Sequence, residues 1–143
     1  MAIKIQPNQL INLQQLEAQV AGPDGANRLF TISSGFNSGV SAFSNSNQFV
    51  QQKETFTILV GPVFTRKQFI KAIGFAAVTT SSTGTQTVPA NSQIGVTSVD
   101  ADWDDESGQV EVRIEVVMGS SGTNNSTTIN AVSFQCSILA ELE

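Results

Sequence analysis

The stretch Gln109-Val110-Glu111-Val112-Arg113-Ile114-Glu115-Val116-Val117-Met118 decides the fold. Within it, β-branched residues alternate strictly with charged residues over seven positions. Successive side chains of a strand point to opposite faces, so one face of this strand belongs to a core and the other to water. We therefore predict an antiparallel sheet in which Val112 and Ile114 point inward and Arg113 points outward.

Further strands are predicted on both sides of this stretch. Residues 54–60 alternate in the same way, and the long apolar run 68–78 carries few charges, which predicts a central strand. Residues 92–99 and 129–142 supply two more strands, and a ten-residue polar loop is expected at 119–128. Turns recurring every 8–14 residues between short strands are typical of a β-sandwich. We predict an all-β fold, an antiparallel β-sandwich with a short N-terminal helix and an extended arm.

The composition agrees with this fold and excludes much chemistry. Charged residues make up only 13% of the 143 residues, against about 25% in typical soluble domains. With no His, no Tyr and one Cys, the chain cannot form a Ser-His-Asp triad, a Cys-His dyad or a His-ligated metal site. The one cysteine, Cys136, lies in an apolar run and is predicted to be a small buried hydrophobe. We expect no enzyme, no metal and no cofactor.

The charge distribution bears on the partners. The net charge is −5, and acidic residues are concentrated after residue 98, while Arg66, Lys67 and Lys71 form the one basic cluster. Nucleic acid requires a dense basic face, so we expect no nucleic-acid partner. No run approaches 18 apolar residues and no signal peptide is recognisable, which predicts cytoplasmic synthesis without membrane insertion. Residues 1–98 carry a net charge of +3 and residues 99–143 a net charge of −8, and such opposite charges suit packing between copies.

The first 22 residues are expected to form a separate helical segment. Asn8 can cap a helix that Gly22 and Pro23 would end. A helix of about 14 residues is marginal alone, so its apolar side needs a partner, which is either its own domain or neighbouring copies. The residues on that side recur at steps of three and four and are our candidates for oligomer contacts: Leu10, Leu13, Leu16 and Val20.

A polar arm is predicted at 23–53, between the helical segment 1–22 and the β-sandwich 54–143, all within one domain. Ser, Asn, Gly and Gln dominate residues 33–52, which favours loop structure. Three phenylalanines in this segment, Phe36, Phe43 and Phe49, must nevertheless be buried. We interpret the segment as an ordered arm or irregular strand packed on a surface.

The acidic stretch 100–108 is the most distinctive local feature, and Trp103 lies within it. Its carboxylates imitate a calcium loop, but Asp105 replaces the required glycine and the flanks read as strands, so a hairpin with solvated carboxylates is the simpler interpretation. Trp103 belongs at a rim, a subunit contact or a sugar site, because aromatic rings stack on sugars while carboxylates accept hydroxyl hydrogen bonds. The ligand or interface candidates are Asp102, Trp103, Asp104 and Arg113.

Residues 54–142 resemble the H-type lectin domain in the order of their segments: ETFTILV, FIKAIGFAAV, QIGVTSVDADWDD, VEVRIEVV and a final strand ending at Ile138-Leu139-Ala140-Glu141. The resemblance implies a six-stranded antiparallel sandwich that assembles as trimers, as in similar modules on phage tail appendages. Family members often bind sugars with aromatic, His and charged residues, whereas this chain has no His and no Tyr.

Two functions compete on these grounds. The first is a non-enzymatic structural subunit of a virion or tail-like particle, with copies of itself, expected as a trimer, and neighbouring particle proteins as partners. The second is a carbohydrate-binding adhesion module with glycans as partners. Low charge, the absence of histidine and the N-terminal extension favour assembly. The expected location is a virion or extracellular particle after cytoplasmic synthesis.

Overall fold

The computed structural model describes residues 2–22, 25–84 and 91–141, and these residues are almost wholly in strands. A single 3₁₀ turn, Pro7–Gln9, is the longest helical element within those ranges. The strands are β1 (Ala2–Lys4), β2 (Ile11–Gly22), β3 (Gly25–Ser44), β4 (Val50–Val60), β5 (Phe69–Gly84), β6 (Ser92–Trp103), β7 (Val110–Ser120) and β8 (Asn125–Glu141).

The strands form two four-stranded sheets. The first sheet has the order β1-β4-β7-β6 and the second has the order β2-β3-β8-β5. Neighbouring strands are antiparallel throughout, except that the short β1 runs parallel to β4. The prediction of an all-β fold with two sheets is confirmed.

The core lies between the sheets and is built by alternation. Val112 and Ile114 of β7 are fully buried while Arg113 between them is exposed, which confirms the predicted orientation of this strand. Phenylalanines join the sheets, with the rings of Phe36 on β3 and Phe56 on β4 5.0 Å apart in a tilted arrangement. Cys136 is buried in the same cluster, as predicted.

The predicted N-terminal helix is wrong. Residues Ile11–Gly22 form β2, which pairs antiparallel with β3 from Ile11 opposite Gly35 to Gly22 opposite Gly25. A short helix has little stability of its own, whereas the ladder to β3 satisfies the backbone groups on one edge of this segment. Leu16, Ala18 and Val20 also alternate with polar residues, so the sequence fits a strand as well as a helix.

The segment expected to be a polar arm contains β3, which lies inside the second sheet between β2 and β8. Polar residues such as Thr31 and Ser33 lie at outward positions, and the inward ones include Phe30, Ile32 and Phe36 together with the buried Ser34. The expectation that all three arm phenylalanines are buried holds only for Phe36, because Phe43 is 56% exposed and Phe49 is 47% exposed.

Two predictions about the later strands need correction. The run 68–78, expected in a central strand, belongs to β5, which is an edge strand of the second sheet. The expected ten-residue loop is shorter, because β7 continues to Ser120 and β8 begins at Asn125. Asn124 and Gly122 adopt positive φ angles there, which lets the chain reverse over a few residues.

Candidate functional site

The acidic stretch forms a tight hairpin between β6 and β7. Asp104 anchors this turn: its backbone N–H donates to the Gln109 carbonyl at 2.8 Å, and its carbonyl accepts from the Gly108 N–H at 2.8 Å. Gly108 has a φ of 75°, a conformation that side chains disfavour. The prediction of a hairpin connection at this place is confirmed.

The Asp104 carboxylate is held by the turn itself. Its Oδ2 accepts hydrogen bonds from the Ser107 hydroxyl at 2.6 Å and from the Ser107 backbone N–H at 2.9 Å. The hydroxyl bond first, and then the backbone bond, lower the pKa of Asp104 because both favour the ionised form. Asp104 therefore closes the turn, a structural role that the sequence analysis missed although Asp is a favoured first residue of a turn.

Trp103 lies at one end of the sandwich, where its half-buried ring packs against the core. The indole Nε1–H donates to the Phe64 carbonyl at 3.0 Å and to the Gly108 carbonyl at 3.2 Å. The Arg66 guanidinium lies 5.8 Å from the centre of the ring, within cation–π range. The indole therefore joins the 61–68 connection to the hairpin, and Arg66 of the predicted basic cluster covers it.

A groove of about 330 Å³ runs along the outward side of β6 and β7 near this hairpin. In the sheet register Asp100 lies opposite Arg113, and Asp102 lies opposite Glu111. Arg113 also pairs with Glu111 at 3.1 Å, with both side chains partly in solvent. We call this surface the acidic groove, and its charged residues are Asp100, Asp102, Asp104, Glu111 and Arg113.

The structure brings all four candidates to the acidic groove, which Asp102, Trp103, Asp104 and Arg113 line, but the Trp103 ring and the Asp102 carboxylate leave opposite sides of β6. Asp102 is exposed and Trp103 packs on the core, as alternation along β6 requires. The ring and this carboxylate therefore point to opposite sides of one strand. Among the described residues, no group of three or more His, Cys, Asp or Glu side chains could hold a metal ion.

The four oligomer-contact candidates occupy two environments. Leu10 is half-buried and packs against the core cluster. The other three lie on β2 and are exposed: Leu13 by 56%, Leu16 by 73% and Val20 by 39%. These three are available for a contact between copies, as strand residues instead of helix residues.

The sequence analysis missed the most exposed apolar residues of β5. Ile73 is 65% exposed and Phe75 is 70% exposed. Small residues alternate with them: Gly74 and Ala76 face the core. A strand that is apolar on both faces is usually covered on both faces. This pattern could have identified Ile73 and Phe75 from the sequence.

In the described part of the chain, no helix is long and apolar enough to span a membrane. The chain matches no protein-family model, no curated protein and no solved structure.

Proposed function

We propose that this protein is a non-enzymatic structural subunit of a virion or tail-like particle that self-assembles through its two-sheet fold. The observation that carries the proposal is the exposure of Leu16, Ile73 and Phe75 on one sheet of a chain whose core is complete without them. Single exposed apolar residues are common, but several on one face are typical of an interface.

The partners are other copies of this chain, expected as a trimer, and neighbouring proteins of the particle. The resemblance of residues 54–142 to H-type lectin modules on phage tail appendages supports both the particle and the trimer. The carboxylates of the acidic groove either face solvent or pair with a nearby side chain, as Glu111 does with Arg113. This arrangement is more typical of an ordinary surface than of a reaction centre.

The native mass of the purified protein tests self-assembly. Light scattering coupled to size-exclusion chromatography at micromolar concentration should give a multiple of 15.2 kDa, and a trimer gives three times that mass. A monomer at the highest attainable concentration contradicts self-assembly.

The location is tested separately with an antibody against the protein. In lysates of cells that produce it, the protein should sediment with particles and label their surface or tail in electron micrographs. If the protein is recovered only in the non-sedimenting fraction, the proposed location in a particle is contradicted. Self-assembly is then still decided by the native mass.

A further inference from the structure

The outer face of the second sheet is a continuous, nearly uncharged surface. Cross-strand pairing places its outward residues in rows, and one row runs from Leu16 on β2 through Thr31 on β3 and Ser137 on β8 to Ile73 on β5. The next row ends with Phe75 on β5. We call this surface the uncharged face, and its apolar members are Leu16, Ala18, Val20, Leu29, Ile73, Phe75, Ala77 and Leu139.

The two outer faces of the sandwich differ sharply in charge. The outward positions of β6 and β7 include Asp100, Asp102 and Glu111, with Arg113 and Glu115 beside them. On the uncharged face, by contrast, the described outward positions carry charge only at Lys71 and Glu141, both at the end where β5 begins and β8 ends. Acidic groups outnumber basic ones on the outward side of β6 and β7, so this side repels a copy of itself, whereas an uncharged face does not.

The size of the uncharged face suits a stable interface. Four strands about 4.8 Å apart and about 40 Å long, the length of the 12-residue β2, cover about 760 Å². A standard interface between two proteins buries about 800 Å² on each partner. The whole face is therefore large enough for one second copy in a ring of two, and in a ring of three it is shared between two neighbours.

We propose that a second copy of this chain packs on the uncharged face, with Ile73 of one copy against Leu16 of the next. The proposal rests on the self-assembly proposed above and names its surface. Leu16 and Ile73 lie in the same row but on opposite edges of the sheet, on β2 and β5. Rotation about an axis parallel to the strands leaves each row at the same height along that axis. It also brings the β5 edge of one copy to the β2 edge of its neighbour. This contact repeats around a closed ring of two, three or more copies.

Native mass tests the surface, with a charge placed at the centre of the proposed contact. Ile73→Lys should give a monomer of 15.2 kDa. Its far-ultraviolet circular dichroism should equal that of the wild type, because the exposed Ile73 is not part of the core. Val63→Lys is the matched control, since Val63 is 69% exposed but lies in the connection after β4, away from the uncharged face. It should keep the mass of the wild type.

The three proteins separate this proposal from the proposed function. If the wild type and Ile73→Lys are equally associated, the uncharged face is not the contact, and self-assembly itself stands. If the wild type is a monomer, no second copy covers the face, and both proposals are overturned. If Val63→Lys also dissociates, the contact lies elsewhere on the molecule, and the surface proposed here is overturned.

A disulfide cross-link tests the row pairing directly. Within one chain, Leu16 and Ile73 are three strand spacings apart, about 14 Å, which is too far for a disulfide. The double variant Leu16→Cys/Ile73→Cys should therefore link only between copies and give a ladder up to the full oligomer on non-reducing gels. Neither single variant should cross-link, because the buried Cys136 is not accessible. A double variant that remains monomeric on the gel overturns the pairing.

Discussion

Neighbouring side chains on β7 differ greatly in what they contribute to stability. Ile114 is fully buried, so Ile114→Ala should lower the free energy of unfolding by about 2–5 kcal/mol through lost apolar burial and a residual cavity. Arg113 pairs with Glu111 in partly solvated surroundings, so Arg113→Ala should cost less than about 1 kcal/mol. Urea unfolding of the two variants measures both values. A larger loss at Arg113 than at Ile114 contradicts the assigned faces.

Burial also determines the chemistry of Cys136. Loss of solvation raises the pKa of its thiol from 9.0 to about 12, because the interior disfavours the thiolate. The thiolate is the reactive form, so a thiol reagent at pH 8 should modify Cys136 in the denatured protein and leave the native protein unmodified. Rapid labelling of the native protein at that pH would show that the thiol is not buried.

The same shift predicts a stability change at high pH. Between pH 9 and about 12 the unfolded chain releases the Cys136 proton while the native chain retains it. The native state then binds more protons than the unfolded state, so this contribution is complete below pH 9 and falls as the pH rises through that range. Cys136→Ala should reduce the slope of stability against pH above pH 9, with Ser107→Ala as a control that leaves that slope unchanged.

Close packing of β5 on β6 depends on a small residue. A Cβ atom at Gly74 would lie 2.9 Å from Cγ1 of Val99 and 3.6 Å from Cβ of Ala101, so Gly74→Val should overpack the core and cost about 1–3 kcal/mol. Gly95 on β6 has no atom within 4 Å of the same position, so Gly95→Val should be close to neutral. The denaturant midpoints of the two variants measure this difference. Equal midpoints would show that the two sheets can move apart at Gly74 without loss of stability.

The strands that could be predicted from the sequence are those with a single consistent period. β7 alternates without interruption, and its burial follows that pattern. The segment 10–22, which contains β2, fits two periods, because Leu10, Leu13 and Leu16 suit a helix while Leu16 and Val20 also suit a strand. Only the pairing partner, β3, selects the strand, and long-range pairing is not encoded in a local pattern.

The residues of the candidate site could be predicted from the sequence, but the directions in which their side chains point could not. The hairpin at 104–108 follows from its local turn residues, and the structure confirms it. The separation of the Trp103 ring from Asp102 depends on which side of β6 faces the other sheet. The exposure of Ile73 depends on which side of β5 faces the other sheet. Both are consequences of how distant strands assemble, which a local sequence pattern does not specify.

Most charged side chains of the molecule lie away from the uncharged face. This distribution predicts how assembly responds to salt. Two associations compete: packing through the uncharged face, or attraction between the basic cluster Arg66, Lys67 and Lys71 and the acidic stretch of another copy. Electrostatic screening shortens from about 30 Å at 0.01 M salt to about 3 Å at 1 M, which weakens only the second association. Sulfate strengthens apolar burial and so favours the first.

We therefore expect the oligomer to persist from low to high sodium chloride and to become tighter in sodium sulfate. Sedimentation equilibrium across this range measures the dissociation constant directly. The exposed Arg66 provides the matched charge variant, because Arg66→Gln removes one basic group without touching the uncharged face. Its dissociation constant should equal that of the wild type at every salt concentration. A native mass that falls to 15.2 kDa as sodium chloride rises, together with weaker association of Arg66→Gln at low salt, would instead assign assembly to the charged surfaces.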